Sequence, residues 1–247
     1  MRVVCWFSCG AASAVATKLA LVRAKKLGIP VVIAYTEVKE EHEDNKRFLK
    51  DCEAWFGQEV VILRNDKYGA SINEVFRKER YLVGPTGAAC TRLLKKDMRK
   101  EFQQPGDRQV FGYTVEEQDR ADRFIDSNPD VDLWTILIEM GLDKQACKAL
   151  LDRAGIKLPV MYEMGYKNNN CIGCVKGGAG YWNKIRKDFP EVFKQRAAQE
   201  RLLGVKIIKL SKGRVFLDEL DPSVGRYEDE PDISCGIACE YAETKLV

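Results

Sequence analysis

Histidine is nearly absent: His42 stands alone in 247 residues. Any transition-metal site must therefore be built mainly from thiolates, which suits zinc or iron–sulfur chemistry. A Ser-His-Asp hydrolase would have to use His42, and nothing else supports one. An excess of one charge sign is also lacking, because 40 Lys and Arg face 37 Asp and Glu. So small a net charge neither requires nor excludes a nucleic-acid partner; only a local basic patch would argue for one. No apolar run approaches the roughly 18 residues of a membrane span. The opening Met1-Arg2-Val3-Val4-Cys5-Trp6-Phe7 is too short for a signal-peptide core and leads into small residues. The expectation is a soluble, cytoplasmic protein with no membrane partner, its oligomeric state left open.

Cysteine, by contrast, is plentiful. Cys5, Cys9, Cys52, Cys90, Cys147, Cys171, Cys174, Cys235 and Cys239 make nine. Without a secretion signal a disulfide framework is disfavoured, and clustered cysteines point to metal or redox chemistry. Cys5, Cys52 and Cys147 read as buried, unliganded side chains. Cys9 stays open between packing and function, because it lies in a loop of small residues.

The first half alternates strand and helix. Residues 2–7 form a short apolar run rich in Val and aromatics, the mark of a buried strand. Ala14, Val15, Leu19, Leu21 and Val22 recur at helical spacing until Gly28-Ile29-Pro30. Residues 30–35 and 59–63 read as two more buried strands, 44–56 as an amphipathic helix closed by Gly57, and 108–111 as a weaker strand after a basic helix over 91–102. Such alternation implies βαβ units and a parallel sheet. After Gly112 the pattern turns helical over 116–125, 133–140, 144–154 and 182–201, with a small hairpin around Lys212-Gly213. The expected fold class is α/β: a doubly wound, mostly parallel sheet with helices on both faces, plus a helical and cysteine-rich C-terminal part.

Between the first strand and its helix stands Ser8-Cys9-Gly10-Ala11-Ala12-Ser13. Small side chains let a phosphate approach the backbone, and N–H groups at a helix start point at it. Ser8 and Ser13 add hydroxyl donors. A tight βα turn that needs small residues only for packing would look the same, so both readings stand on the loop alone.

Ser-x-Gly-x-x-Ser after a first strand resembles the pyrophosphate loop of the adenine-nucleotide α-hydrolase-like superfamily. That group includes the N-type ATP pyrophosphatases and the sulfonucleotide reductases, which act on adenosine phosphosulfate or phosphoadenosine phosphosulfate. The resemblance assigns Ser8, Cys9, Gly10, Ala11 and Ser13 to an adenine nucleotide. Where the pyrophosphatases show Ser-Gly-Gly-x-Asp-Ser, this chain has Cys9 at the first Gly and Ala12 at the Asp, a position that would help hold Mg²⁺. The missing carboxylate favours the reductase branch. Thr36-Glu37 with Asp44-Asn45 and Arg47-Phe48 is similar to the family's second loop, which adds Thr36 and Glu37 to the nucleotide site. Gly112-Tyr113-Thr114-Val115-Glu116-Glu117, followed by Arg120 and Arg123, is similar to its Gly-x-Arg-x-x-Glu-Ser…Arg segment. Arg120 and Arg123 would then meet phosphate or sulfate as bidentate donors; the alternative is a solvated helix face paired with Glu116, Glu117 and Asp119. The implied domains are an adenine-nucleotide-binding part over 1–125 and a cysteine-rich part over 126–247 packed on it.

Cys171-Ile172-Gly173-Cys174 could grip one metal or two corners of a cluster, or act as a redox dithiol. The stretch from Tyr162 to Cys174 resembles the Gly-Cys-x-x-Cys region of adenosine phosphosulfate reductases. Gly87-Ala88-Ala89-Cys90-Thr91-Arg92 with Lys95, Lys96, Arg99 and Lys100 looks like the element that pairs with it to hold a [4Fe–4S] cluster, with Ala89 in place of one cysteine. The implied ligands are Cys90, Cys171 and Cys174, with Cys235 or Cys239 as a fourth, or an iron left open to sulfide or substrate. A Zn site on Cys171, Cys174, Cys235 and Cys239 is the structural alternative. Tyr181-Trp182 beside Lys184, Arg186 and Lys187 could stack a base, but an amphipathic helix packing its Trp is the favoured reading.

The function expected from the resemblance is sulfonucleotide reduction. Cys235 or Cys239 would be the nucleophile, and an external thiol reductant such as a thioredoxin-like protein would resolve the intermediate. The alternatives are ATP-dependent, cluster-dependent sulfur transfer to or from a nucleic-acid base, and a Zn-stabilised nucleotide-binding module without catalysis.

Overall fold

A computed structural model describes residues 1–84 and 87–233. In chain order the strands are β1 (Val3–Trp6), β2 (Val31–Thr36), β3 (Val61–Leu63), β4 (Val83–Gly84), β5 (Gly87–Ala88), β6 (Arg108–Val110), β7 (Asp132–Trp134), β8 (Ile208–Leu210) and β9 (Gly213–Val215). The first six α-helices are α1 (Ala11–Lys26), α2 (Asn45–Phe56), α3 (Ile72–Glu79), α4 (Ala89–Thr91), α5 (Asp97–Phe102) and α6 (Gln118–Ser127). They are followed by α7 (Ile136–Glu139), α8 (Lys144–Arg153), α9 (Val160–Glu163), α10 (Ala179–Asp188) and α11 (Pro190–Leu203). Among the described residues no helix is long and apolar enough to cross a membrane.

Every residue of β1 is buried, and its side chains divide by parity. Val3 and Cys5 join the apolar cluster on one sheet face, Val4 and Trp6 the cluster on the other. A strand buried on both faces belongs at the centre of a parallel sheet. The sheet runs β3-β2-β1-β6-β7 with every neighbouring pair parallel. Helices α1, α2 and α8 cover one face, and α6 covers the other. The fold is thus a doubly wound α/β sheet. A third cluster gathers α3, the 89–102 helix, α10, α11 and the β8–β9 hairpin.

Residues 133–140, expected as one helix, split in two. Asp132–Trp134 pairs with β6 as β7, and Ile136–Glu139 makes one helical turn. The run Leu133-Trp134-Thr135-Ile136-Leu137-Ile138 is apolar almost throughout, so periodicity carries no information there. The pairing is a tertiary event, with Arg108 and Asp132 2.8 Å apart across the two strands.

The strand order places the site. From β1 the chain winds through β2 to β3 at one edge, then crosses back to β6 beside β1 and continues to β7. The loops after β1 and β6 therefore part toward opposite faces and open a crevice between them. A second device shapes the neighbouring region. Residues Arg92–Lys96 between α4 and α5 are π-helical, a rare form often found at functional sites. Lys95, Lys96 and Arg99 are buried there despite their charge.

Candidate functional site

The crevice holds a cavity of about 460 Å³, with Ser8 and Gly10 to Ser13 at one end. Cys9 has φ 53°, a left-handed conformation uncommon outside glycine. It turns its side chain into the core, and its carbonyl accepts from Asn169 Nδ2 at 2.7 Å. Ser13 Oγ closes the loop: it accepts from Ser8 N–H at 3.1 Å and Ser8 Oγ at 3.0 Å, and donates to Gly10 O at 3.0 Å. The first-turn N–H groups of α1 have no acceptor within the helix. No acidic residue stands in that turn, so the positive helix end faces the cavity and favours an anion. Gly112 is required by contact: a Cβ there would lie 2.6 Å from Ser13 N and 2.9 Å from its Cα. At Gly10 a Cβ would meet Ser8 Oγ and Tyr162 OH, both at 3.6 Å, and Ser13 Oγ at 3.9 Å, all in ordinary contact.

The walls carry both signs of charge. Lys95, Arg120, Arg123, Lys144, Lys148 and Lys167 are the cations; Glu41, Glu116, Glu117, Asp119 and Asp232 are the carboxylates. Arg120 Nη1 bonds Glu117 at 2.6 Å, and its guanidinium lies 5.3 Å from the centre of the Tyr113 ring. Tyr113, where the family pattern has Arg, thus supports an arginine rather than supplying one. Tyr162 OH accepts from Ala11 N–H at 3.4 Å, and Lys148 Nζ is 4.6 Å from the Tyr162 ring centre. Burial raises the Tyr162 pKa, although the Ala11 N–H partly opposes it.

A smaller, apolar chamber adjoins this cavity, lined by Cys90, Cys171 and Cys174 together with Val38, Ile72, Phe76 and Leu94. Lys95 lines both spaces. Its Nζ is 3.2 Å from Glu41 Oε1, which lies 4.0 Å from Cys171 Sγ. The cysteine turn is held by its backbone. Ile172 N–H donates to Glu40 O at 2.8 Å, and Cys174 N–H to Tyr181 OH at 2.9 Å. Tyr181 OH in turn donates to Cys171 O at 3.4 Å. Gly173 has φ 72°, and a Cβ there would lie 2.5 Å from Val192 Cγ1, so only glycine fits. A polar chain joins the two spaces. Asn169 Nδ2 donates to Asn45 Oδ1 at 2.7 Å, Asn45 Nδ2 to Glu41 Oε2 at 3.0 Å, and Tyr35 OH to the same oxygen at 2.6 Å. Among the described residues no three Cys, His, Asp or Glu side chains converge closely enough to hold one ion.

Of the residues assigned to a nucleotide, Ser8, Gly10, Ala11, Ser13, Thr36, Arg120 and Arg123 line the cavity. Cys9 and Glu37 do not. Cys9 offers the site only its backbone, and Glu37 is 3.6 Å from Arg64. Asp44 is held instead by Arg47 at 2.7 Å and Val160 N–H at 3.0 Å. Cys90, Cys171 and Cys174 come together although 81 residues part the first two in sequence (171 − 90 = 81). Cys235 and Cys239 lie outside the described residues. Tyr181 and Trp182 are buried in the third core cluster, which agrees with packing rather than base stacking. Sequence reasoning passed over Glu41, Lys144, Lys148, Tyr162, Lys167 and Asn169. Two signals were available: the i,i+4 spacing of Lys144 and Lys148 on one helix face, and the place of Tyr162, Lys167 and Asn169 in the stretch before Cys171.

No protein-family model and no curated protein matches the chain. Among solved structures it is similar to the U34-tRNA thiolase NcsA from Methanococcus maripaludis with its [4Fe-4S] cluster. That likeness has a TM-score of 0.40 and 14% sequence identity, over 83% of this chain and 72% of that one.

Proposed function

We propose that this chain is an adenine-nucleotide-dependent enzyme of the cytoplasm that exchanges sulfur at a nucleic-acid base, holding a [4Fe–4S] cluster on Cys90, Cys171 and Cys174. The observation that carries this reading is the shared wall: Lys95 lines both cavity and chamber, and Cys171 Sγ lies 4.0 Å from the cavity residue Glu41.

The donor set suits such a group. Zinc wants its thiolates about 2.3 Å from one ion, whereas a cluster spreads them over separate irons. Three thiols, Cys90, Cys171 and Cys174, line one apolar chamber and could each meet a separate iron. Cys235 or Cys239 completes the set, or one iron keeps an open position. When bound, the cluster supplies iron at which sulfur can be held beside the nucleotide.

The residues of the chain divide the remaining work. Ser8, Ser13 and the N–H groups of α1 receive the phosphates. Glu116, Glu117 and Asp119 would hold a Mg²⁺, which would neutralise charge on the phosphates. Ala12 withholds a carboxylate from the loop, and the cavity wall carries these three, with Glu117 also paired to Arg120. Adenylation of a base carbonyl oxygen expels pyrophosphate, and sulfide then displaces AMP. Lys95 and Lys148 offset the negative charge that gathers on the departing groups.

Sulfonucleotide reduction is the second reading, favoured by Arg120 and Arg123 on one wall. It calls for attack on sulfur by Cys235 or Cys239 and release by an external thiol reductant such as a thioredoxin-like protein. It ranks second because the wall shared by cavity and cysteine chamber suits sulfur held at a cluster beside the nucleotide. The test is a paired assay on anaerobically prepared protein: ATP, Mg²⁺ and sulfide with tRNA or DNA, against a sulfonucleotide with thiol. Nucleic-acid-stimulated AMP and pyrophosphate with sulfur incorporated into the nucleic acid is expected. Sulfite release in the second assay alone overturns the ranking. Nucleotide binding without turnover in either, in zinc-containing protein, leaves a binding module.

A further inference from the structure

Arg196 on α11 is 2% exposed, although an uncompensated buried charge is strongly disfavoured. Its Nη1 donates to Gln199 Oε1, while its Nε has no hydrogen-bond partner among the described residues. Glu200, one turn along the helix, directs both oxygens elsewhere: it accepts from Ile207 N–H at 2.7 Å and Leu217 N–H at 2.6 Å. The guanidinium lies 4.7 Å from the centre of the Phe76 ring, and Phe76 is a wall of the cysteine chamber. Burial lowers the Arg196 pKa, and the negative groups that oppose this are, in order, Cys90, Glu40, Cys174 and Tyr181. Glu40 is itself occupied by Ser71 Oγ and the N–H groups of Ile72 and Asn73. An arginine keeps its proton under such burial. A full positive charge is therefore fixed in the interior behind Phe76, a wall of the cysteine chamber.

We propose that Arg196 is the built-in counter-charge of the cysteine centre, neutralising the thiolate-ligated cluster and raising its reduction potential. This rests on the cluster reading above and adds a role for a residue that touches neither nucleotide nor substrate. Thiolate ligation leaves the centre negatively charged, and an added electron makes it more so. A cation held nearby in low dielectric stabilises the reduced form more than the oxidised one.

The experiment compares reconstituted wild type, Arg196→Met, Arg196→Lys and Gln199→Glu in mediated redox titrations read by visible absorption and electron paramagnetic resonance, with iron per chain measured throughout. Methionine fills much of the space without charge. It is expected to move the oxidised-to-reduced ratio about tenfold toward the oxidised form, about 59 mV for one electron, with iron retained. Lysine restores most of the potential. Should Arg196→Met not fold, Gln199→Glu keeps the arginine and cancels its charge through an ion pair, and the same direction of shift is expected. Iron-loaded variants with the wild-type potential overturn the inference while leaving the cluster reading in place, as do equal shifts in Arg196→Met and Arg196→Lys. Wild type that binds no iron removes the cluster reading and this inference with it.

Discussion

Cys5, Cys9, Cys52 and Cys147 form one set of buried cysteines; Cys90, Cys171 and Cys174 form another, also buried though slightly less completely. Their surroundings separate them. The first four lie in the apolar cluster between the sheet and helices α1, α2 and α8. Burial pushes the Cys52 and Cys147 thiols up to about 12 and raises Cys5 and Cys9 as well. They stay protonated and act as small apolar side chains. The second set has buried cations close by, Lys95 on the chamber wall and Arg196 beside Phe76, and a turn whose N–H groups are fixed by Glu40 and Tyr181. What marks a cysteine suited to ligation is provision for the charge of its thiolate, not its burial.

The largest expected effect breaks that comparison if it fails. Cys171→Ser should abolish iron binding and the visible absorption of anaerobically prepared protein. Cys52→Ser should keep both, yet lose about 1–3 kcal/mol in denaturant titrations, because a hydroxyl is left among apolar neighbours. Iron retained in Cys171→Ser, or lost in folded Cys52→Ser, would show that the two sets are not functionally distinct.

A second, smaller effect separates the chamber from the nucleotide cavity. In Gly112→Ala the new Cβ would fall 2.6–3.0 Å from the backbone of Ser13 and Ala12, which cannot move aside as a flexible side chain would. The first turn of α1 must shift, at about 1–3 kcal/mol. Calorimetry should show adenine-nucleotide affinity weakened roughly tenfold, about 1.4 kcal/mol, while iron per chain stays at the wild-type value. A variant with normal affinity would place the phosphate elsewhere than on this loop.

These two regions also differ in how far they can be read before folding. The phosphate loop is contiguous: β1, Ser8 to Ser13 and α1 declare themselves by run length, small residues and helical spacing. The chamber is assembled from residues 38, 72–76, 90–95 and 171–175; the CxxC spacing announces one part of it, and Cys90 enters only through the resemblance. Charged helix faces are the least legible, because a lysine facing solvent and one facing a cavity share the same pattern. Lys144 and Lys148 went unread for that reason. Arg196 is the extreme case, since its sequence neighbours Lys194, Gln195 and Gln199 suggest an exposed face. Glu116, Glu117 and Asp119, read in sequence only as partners for Arg120 and Arg123, line the cavity.

Asp44 supplies the smallest test, at the scaffold that both regions share. Its carboxylate accepts from Arg47 Nε and Nη2, each at 2.7 Å, and from Val160 N–H at 3.0 Å. Arg47 also donates to Lys157 O and Leu158 O, at 3.0 and 3.1 Å. This clamp ties the start of α2, and with it Asn45 of the polar chain, to the segment that enters α9 and delivers Tyr162. Arg47 first, and the Val160 N–H after it, hold the Asp44 carboxyl below its ordinary value of about 3.8. A lowered folded pKa means stability that is present above the ordinary value and lost as the pH falls through the folded one. Asp44→Asn should therefore cost about 0.5–1 kcal/mol at neutral pH, a modest figure because the Arg47 side chain remains one-third exposed. The gap between variant and wild type should shrink as the pH drops below the ordinary carboxylate value and close once the wild-type carboxyl is protonated too. Denaturant titrations across that range read it directly. A gap that stays constant with pH would mean that the clamp works through shape alone, and that its charge contributes nothing to the hold of α2 on the Tyr162 segment.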